Sequence, residues 1–399
     1  MKIAIHFGTL ALVATLSGCT SSKTVTESMD VELTNTERKD KATSSGESNV
    51  LLGNDAIDWQ KFFQPAPDLQ ARHKLADTVK TWAGNQDPNQ LVKLARKQLV
   101  IGQIADAESS LRTALRLNPD HREALIEAAS TAARRKHFDD AYNYLGKIRK
   151  IIAQDQTLNS QYVFRYRYVL GLAELGRGNR NEGVRILADL IRLDKTFSPG
   201  YAALAAQYLH EGKVDAAEFI AKKGLDRGKP LASLENSLGV VEKKKGNLAA
   251  ARAHFEKSLK ISENYSPAIV NLAIVAILLQ EYENAEVNLN RALSLAPHNP
   301  DVYVTLGVLN NKTGRTDAAK VAFRRALDIE PEHPGARFNL AALVARDHSG
   351  QSEALRLFHE VTLIPSASGD MRKLAGLYIE TLQKQMTEGD SAQELNPML

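Results

Sequence analysis

Ser266–Asn299 reads SPAIVNLAIVAILLQEYENAEVNLNRALSLAPHN, and Pro300–His333 reads PDVYVTLGVLNNKTGRTDAAKVAFRRALDIEPEH. Laid over one another, the two segments align without a gap. Leu272-Ala273 falls on Leu306-Gly307, Ala285 on Ala319 and Pro297 on Pro331, a step of 34 residues. Leu170-Gly171, Leu204-Ala205, Leu238-Gly239 and Leu340-Ala341 keep the same phase, as do Ala217, Ala251, Gly178, Gly212, Gly246 and Gly314. Self-similarity at this period means stacked supersecondary units sharing one continuous core, not separate globular domains.

The residue types explain the pattern. Each unit reads as two antiparallel helices that approach closely. Gly or Ala at the Leu-Gly position, and Ala in the second helix, remove bulk where the helices cross, while Leu, Tyr and Phe fill the space around it. The glycines at Gly178, Gly212, Gly246 and Gly314 end the first helix in a left-handed cap, and Pro297 and Pro331 stop the second. Leu-Gly, then Ala-x-x-x-Phe as in Ala251 to Phe255 and Ala319 to Phe323, then Pro, resembles the tetratricopeptide repeat. That resemblance implies an all-α fold, an α-solenoid of helix-turn-helix repeats.

Five frames run without interruption, at 164–197, 198–231, 232–265, 266–299 and 300–333. Leu94, Gly102, Ala107, Leu111, Ala114 and Pro119 fit a frame at 88–121, and Ala141 and Leu145 fit one at 122–155 that lacks the turn glycine. Residues 156–163 read as an insertion. A last frame at 334–368 keeps Leu340, Ala341, Ala354 and Phe358, with one extra residue near Ser349-Gly350. Eight repeats result. Terminal repeats need covers, and Leu69, Leu75, Ala76, Val79 and Trp82 predict capping helices within 55–87. Met371, Leu374, Leu377, Tyr378 and Leu382 predict another at 369–388, before a tail at 389–399 expected to fray.

The amino-terminal stretch carries a second theme. Met1-Lys2 precedes an apolar run from Ile3 to Leu16, which is too short for a comfortable membrane span and has the layout of a secretory leader. Leu16-Ser17-Gly18-Cys19 resembles the bacterial lipobox. The resemblance implies removal of 1–18 and lipidation of Cys19. Each methylene that enters a bilayer contributes about 0.8 kcal/mol, so two or three acyl chains hold firmly. Thr20, where that family's inner-membrane signal places Asp, implies the periplasmic face of the outer membrane. Residues 19–54 are rich in Ser, Thr and Asn and read as a flexible tether reaching about 30–35 Å.

Composition narrows the chemistry. Cys19 is the only cysteine, which excludes an intrachain disulfide and a cysteine-based metal site. A net charge of +4 over 399 residues gives no reason to expect nucleic acid. The ten histidines show no His-Glu-x-x-His spacing; His121, His298 and His333 stand in inter-repeat loops. Gly224-Leu-Asp-Arg-Gly228-Lys229-Pro230 lacks the Ser or Thr of a phosphate loop, and no Gly-x-Ser-x-Gly elbow occurs. The expectation is a binding protein, not an enzyme, with no cofactor, no metal and no small-molecule substrate. Arg134-Arg135-Lys136 and Lys243-Lys244-Lys245 fall at first-helix ends, where the helix dipole favours cations, with an anionic contact as the alternative. Tyr162-Val-Phe164-Arg-Tyr166-Arg-Tyr168 reads as core plus groove rim.

In tetratricopeptide proteins the concave face is lined by first helices, at the second, fifth, sixth, ninth and twelfth positions. Carried onto this chain, that implies a peptide groove containing Tyr168, Leu172, Asn236, Val240, Val270, Asn271, Ile274, Val304, Val308, Phe338 and Asn339. Family members that clamp a carboxylate add lysines and arginines. Here Asn271 and Asn339 match, the lysines are expected to be missing, and an amphipathic helix or extended apolar segment is the expected ligand. Lipidated repeat proteins resemble the pilotins of type IV and tight-adherence (Flp) pilus systems, the latter more closely because of their longer repeat bodies. That likeness implies a secretin or pilus assembly subunit as partner. The alternatives are an envelope adaptor recruiting peptidoglycan hydrolases or proteases, and an assembly factor for the outer membrane or polysaccharide export.

Overall fold

A computed structural model of the chain describes residues 87–100, 103–155 and 160–394. The leader at 1–18, Cys19, the tether at 19–54 and, apart from Asp87, the amino-terminal caps at 55–87 lie outside the described residues. Within the described residues there are seventeen α-helices and no strand.

First helices of 13 residues are α1 (Pro88–Val100), α3 (Arg122–Arg134), α7 (Ser198–His210), α9 (Ala232–Lys244), α11 (Ser266–Leu278) and α13 (Pro300–Lys312). Each begins on the first residue of its 34-residue frame. Second helices of 14 residues are α2 (Ile104–Leu117), α6 (Arg180–Leu193), α8 (Val214–Arg227), α10 (Leu248–Ile261), α12 (Tyr282–Leu295) and α14 (Thr316–Ile329). The exceptions surround the insertion. Both α4 (Phe138–Gln154) and α5 (Ser160–Gly176) have 17 residues, so part of the extra length is absorbed as helix on either side. In the last frame, α15 (Pro334–Val344) and α16 (Gln351–Leu363) are joined through a 3-10 turn at His348–Gly350, which takes up the extra residue.

The chain divides into two compact units. One holds the described residues through Glu242 together with Ala253–Tyr265; the other holds Lys243–Arg252 and the chain from Ser266 onward.

Within each unit the small residues sit where the helices cross. In the first, Ala95, Ala129 and Ala205 at the eighth position are fully buried, as are Ala107, Ala141 and Ala217 at the twentieth. Gly171 and Gly183 bring α5 and α6 together: a Cβ on Gly183 would lie 2.7 Å from the Leu175 side chain and 2.9 Å from the Gly171 carbonyl oxygen. Gly239 makes room for the Phe255 ring, which would stand 2.4 Å from an added Cβ. In the second unit Gly307 and Phe323 repeat that fit at the same 2.4 Å.

The turn between first and second helix has the same form in the six frames from 122 to 333. At the fifteenth position Gly178, Gly212, Gly246 and Gly314 have φ between 73° and 87°. The following N–H of Asn179, Lys213 and Arg315 donates to the carbonyls of Glu174, Tyr208 and Asn310, closing a left-handed helix cap. Two frames without this glycine keep the geometry: Lys136 and Gln280 adopt φ of 62° and 61°, and His137 and Glu281 donate to Ala132 and Ala276. Two histidines cap the next first helix. The Nδ1 of His121 accepts from the Ala124 N–H at 3.2 Å, and that of His333 from Ala336 at 3.1 Å. These rings therefore carry their proton on Nε2, which faces Asn89 at 3.1 Å and Asp301 at 3.0 Å.

The carboxy-terminal cover is α17 (Gly369–Glu394). It extends past the expected end at 388, through most of the stretch expected to fray. Tyr378 stacks on Phe358 with ring centroids 4.8 Å apart, and Phe338 meets both rings edge-on at 5.3 and 5.8 Å.

Candidate functional site

The first helices of the two units differ in chemistry. In the first unit the second, sixth and ninth positions of the early frames carry Arg96, Glu123, Glu127 and Arg165. Arg96 donates through Nε to Glu127 at 2.8 Å and through Nη2 to Glu123. Arg165 donates to the same two carboxylates, at 2.8 Å each. Two cations and two anions thus neutralise one another across α1, α3 and α5. Burial would raise the Glu123 carboxyl, but the Arg165 and Arg96 guanidiniums outweigh it and hold it below the ordinary range. Tyr162 is buried beside this lattice and donates its hydroxyl to the Arg122 carbonyl at 3.1 Å. The aromatic and basic run at 162–168 is absorbed into core and ion pairs.

Further along the same unit, Tyr168 is half-buried and meets Phe197 edge-on at 5.3 Å. Burial pushes its hydroxyl up to about 12. Leu172, Asn236 and Val240 are also half-buried on α5 and α9.

In the second unit Ile274, Val304, Val308 and Ala342 are half-buried at fifth and ninth positions of α11, α13 and α15, giving that face an apolar character. Val270 and Phe338 do not contribute to its surface. Both are buried, at 7% and 4% exposure, because the Phe338 ring is committed to Phe358 and Tyr378 and Val270 to the interior. Asn339 turns back on its own helix, donating to the Gly335 carbonyl at 2.8 Å.

One expectation is corrected outright. Asn271 does have a lysine beside it: Lys243 Nζ donates to Asn271 Oδ1 at 3.1 Å. The lysine comes from the end of α9, at the twelfth position of the preceding frame. Burial, with Lys244 adjacent, pushes the Lys243 ammonium down to about 8, and no carboxylate among the described residues pairs with it. The sequence sets Lys243 among helix-end cations, with an anionic contact as the alternative. Its twelfth-position register was the signal that could have moved it to the groove. No group of three or more His, Cys, Asp or Glu side chains among the described residues could hold a metal ion, and no helix among them is long and apolar enough to cross a membrane.

Models of the tetratricopeptide repeat match residues 92–147 and the consecutive segments 236–265, 266–299 and 300–333. The repeats are tetratricopeptide repeats. The matched segments 266–299 and 300–333 have the same bounds as the frames set by the 34-residue step. Among solved structures, the chain is similar to one in the crystal structure of the APC/C hetero-tetramer Cut9-Hcn1. The two are 16% identical with a TM-score of 0.57, over 80% of this chain and 60% of that one. The chain therefore spans about three fifths of that relative's length, and the likeness is one of fold. A tetratricopeptide repeat protein from Parabacteroides merdae ATCC 43184 is 14% identical with a TM-score of 0.44, over 65% of this chain and 99% of that one. No curated protein matches the chain in sequence.

Proposed function

We propose that the chain is a lipid-anchored scaffold that binds protein partners on the first-helix face of its repeats and assists assembly of a pilus or secretion machine in the cell envelope. The observation that carries the binding role is the half-buried apolar run of Ile274, Val304, Val308 and Ala342 on successive first helices. An amphipathic helix or extended apolar segment gains affinity from such a strip by burying its own apolar side. The charge-neutral lattice of Arg96, Glu123, Glu127 and Arg165 makes the early repeats a poor platform for the same ligand, so the binding face belongs to the later repeats. The anchor rests on Leu16-Ser17-Gly18-Cys19, and its place on the periplasmic side of the outer membrane rests on Thr20.

Deleting the gene and scoring secretin multimers in outer-membrane fractions tests the assembly role; loss of multimers and of piliation is the expected outcome, and unchanged levels of both overturn it. Cys19→Ser tests the anchor separately. The variant should leave the membrane fraction, and continued membrane association would refute lipidation.

A further inference from the structure

We propose that the carboxy-terminal halves of α2 and α4 form a basic band that lies against the anionic phospholipid headgroups of a bilayer. The band belongs to second helices and not to the first-helix face. It gives an orientation to the proposed lipid-anchored body, and rests on the anchor only for nearness to the bilayer.

The two helices divide their charges. In α2, Arg112 and Arg116 follow a first half that holds Asp106 and Glu108; in α4, Lys147, Arg149 and Lys150 follow Asp139 and Asp140. All five cations are exposed, and none has a carboxylate partner among the described residues. Other cations of this unit do. Arg135 faces Glu108 at 2.6 Å, Arg122 faces Asp155 at 2.5 Å, and Arg177 faces Asp139 at 3.8 Å. The next acid groups along the chain are Asp120, in the loop after α2, and Asp155, already engaged by Arg122. The helix dipole accounts for one of the five. Its effect is confined to the last turn, where α2 has Arg116 and α4 has no basic residue.

Packing brings the two rows together. Leu115 on α2 and Tyr144 on α4 each pack against the cores of both frames. Burial and Asp140 push the Tyr144 hydroxyl up, and Arg112, on the other helix, opposes them. Arg116-Leu117 and Lys150-Ile151 stand one 34-residue step apart, so they hold the same place on their helices. Leu117 is 42% exposed. Cations beside an exposed apolar side chain match the boundary between headgroups and acyl chains. The phosphates of a nucleic acid, or the carboxylates of an acidic protein, would satisfy the cations and leave Leu117 in water. The two frames are also the first along the chain after Cys19. Each Lys or Arg near an anionic bilayer adds an attraction that fades within a Debye length, about 8 Å at physiological salt. Five such charges orient a body that a tether keeps near the surface, but do not hold it there alone. That agrees with the release expected of Cys19→Ser.

The test uses the full chain with Cys19→Ser, so that no acyl chain contributes, and vesicles of phosphatidylcholine with or without phosphatidylglycerol. Cosedimentation at low ionic strength should show at least about tenfold tighter binding to the anionic vesicles, and added salt should abolish the preference. Adding Arg116→Gln, Lys147→Gln and Lys150→Gln should remove it. Adding Lys195→Gln, Lys257→Gln and Lys260→Gln instead, which neutralises three exposed cations elsewhere in the same unit, should leave it in place. The amino-terminal stretch is common to all variants, and a thermal melt of each keeps misfolding apart from lost contact. Equal binding of the parent to the two kinds of vesicle overturns the proposal. An unchanged preference in the first triple, or an equal loss in both triples, overturns it as well. So does binding of a polyglutamate peptide or a DNA duplex that depends on Arg116, Lys147 and Lys150 while the vesicles are ignored, since the ligand is then an acidic macromolecule. The anchor has its own test in the membrane release of Cys19→Ser from cells, so either reading fails without the other.

Discussion

The Cβ that Gly307 lacks would stand 2.4 Å from the Phe323 ring, and Gly239 has the same relation to Phe255. The eighth and twenty-fourth positions of a frame are thus fitted to each other. Where the eighth residue is Ala273, the twenty-fourth is Leu289, which is smaller and more easily shifted.

Gly307→Ala should therefore destabilise the chain by about 1–3 kcal/mol, the usual cost of overfilling a packed core. Adding Phe323→Leu should recover most of that loss, reproducing the pair in the neighbouring frame. Urea unfolding of the two single variants and the double gives the coupling directly. Additive losses would contradict the fit.

Lys136 and Gln280 hold a left-handed backbone that glycines hold in the other turns. A side chain there costs roughly 1–2 kcal/mol. Lys136→Gly and Gln280→Gly should each raise the melting temperature, the gain being reduced by the extra freedom glycine gives the unfolded chain. Gly314→Ala should lower it.

Glu211 concentrates donors on one carboxylate. Burial would raise its pKa, but Lys213 at 2.8 Å, Gln207 at 2.8 Å and Arg180 at 2.5 Å bring it down to about 2. Above pH 4.5 both folded and unfolded chains are ionised at this group and its stabilisation is complete. As the pH falls from there toward 2, the unfolded chain takes up the proton first and the stabilisation is lost. Glu211→Gln should cost ~1–2 kcal/mol at neutral pH, after discount for partial exposure, and little near pH 2. Denaturation midpoints across that range measure it.

Lys243 behaves in the opposite sense. Its ammonium titrates near 8 in the folded chain, against 10.5 for a free lysine. Below pH 8 the folded chain bears the full cost of the buried charge. Between 8 and 10.5 the folded chain gives up its proton while the unfolded chain retains it, so stability rises. Lys243→Met should be more stable than the parent by ~1–2 kcal/mol at pH 7, again discounted for exposure. The difference should fade above pH 10.5.

The repeat geometry was readable because it depends on steric rules that act within one frame. A missing side chain at Gly239 or Gly307 and a left-handed turn at Gly178 are each written in a single residue type. The first helices accordingly begin on the predicted residues from Arg122 to Pro334, except at α5. The exception is instructive: residues 160–163 carry no frame signal of their own, and their helicity follows from elongation of α5. The binding face was less legible. The position rule treats fifth positions alike, yet Val304 is half-buried whereas Phe338 is held inside by two aromatic rings from α16 and α17. The Lys243–Asn271 contact joins residues 28 apart in different frames, and a pattern confined to one frame does not show it. The Arg96 and Arg165 lattice was hidden for the same reason, since its four members are spread over three first helices.

Within each unit the helices pack against those one or two places away along the chain. Such a topology asks for no closure of long loops before packing begins to stabilise it, which favours rapid folding. The chain can consolidate frame by frame while the rest is still extended. A fault in one repeat is shared mainly with its immediate neighbours, so the molecule is expected to fail by unzipping locally before it collapses as a whole.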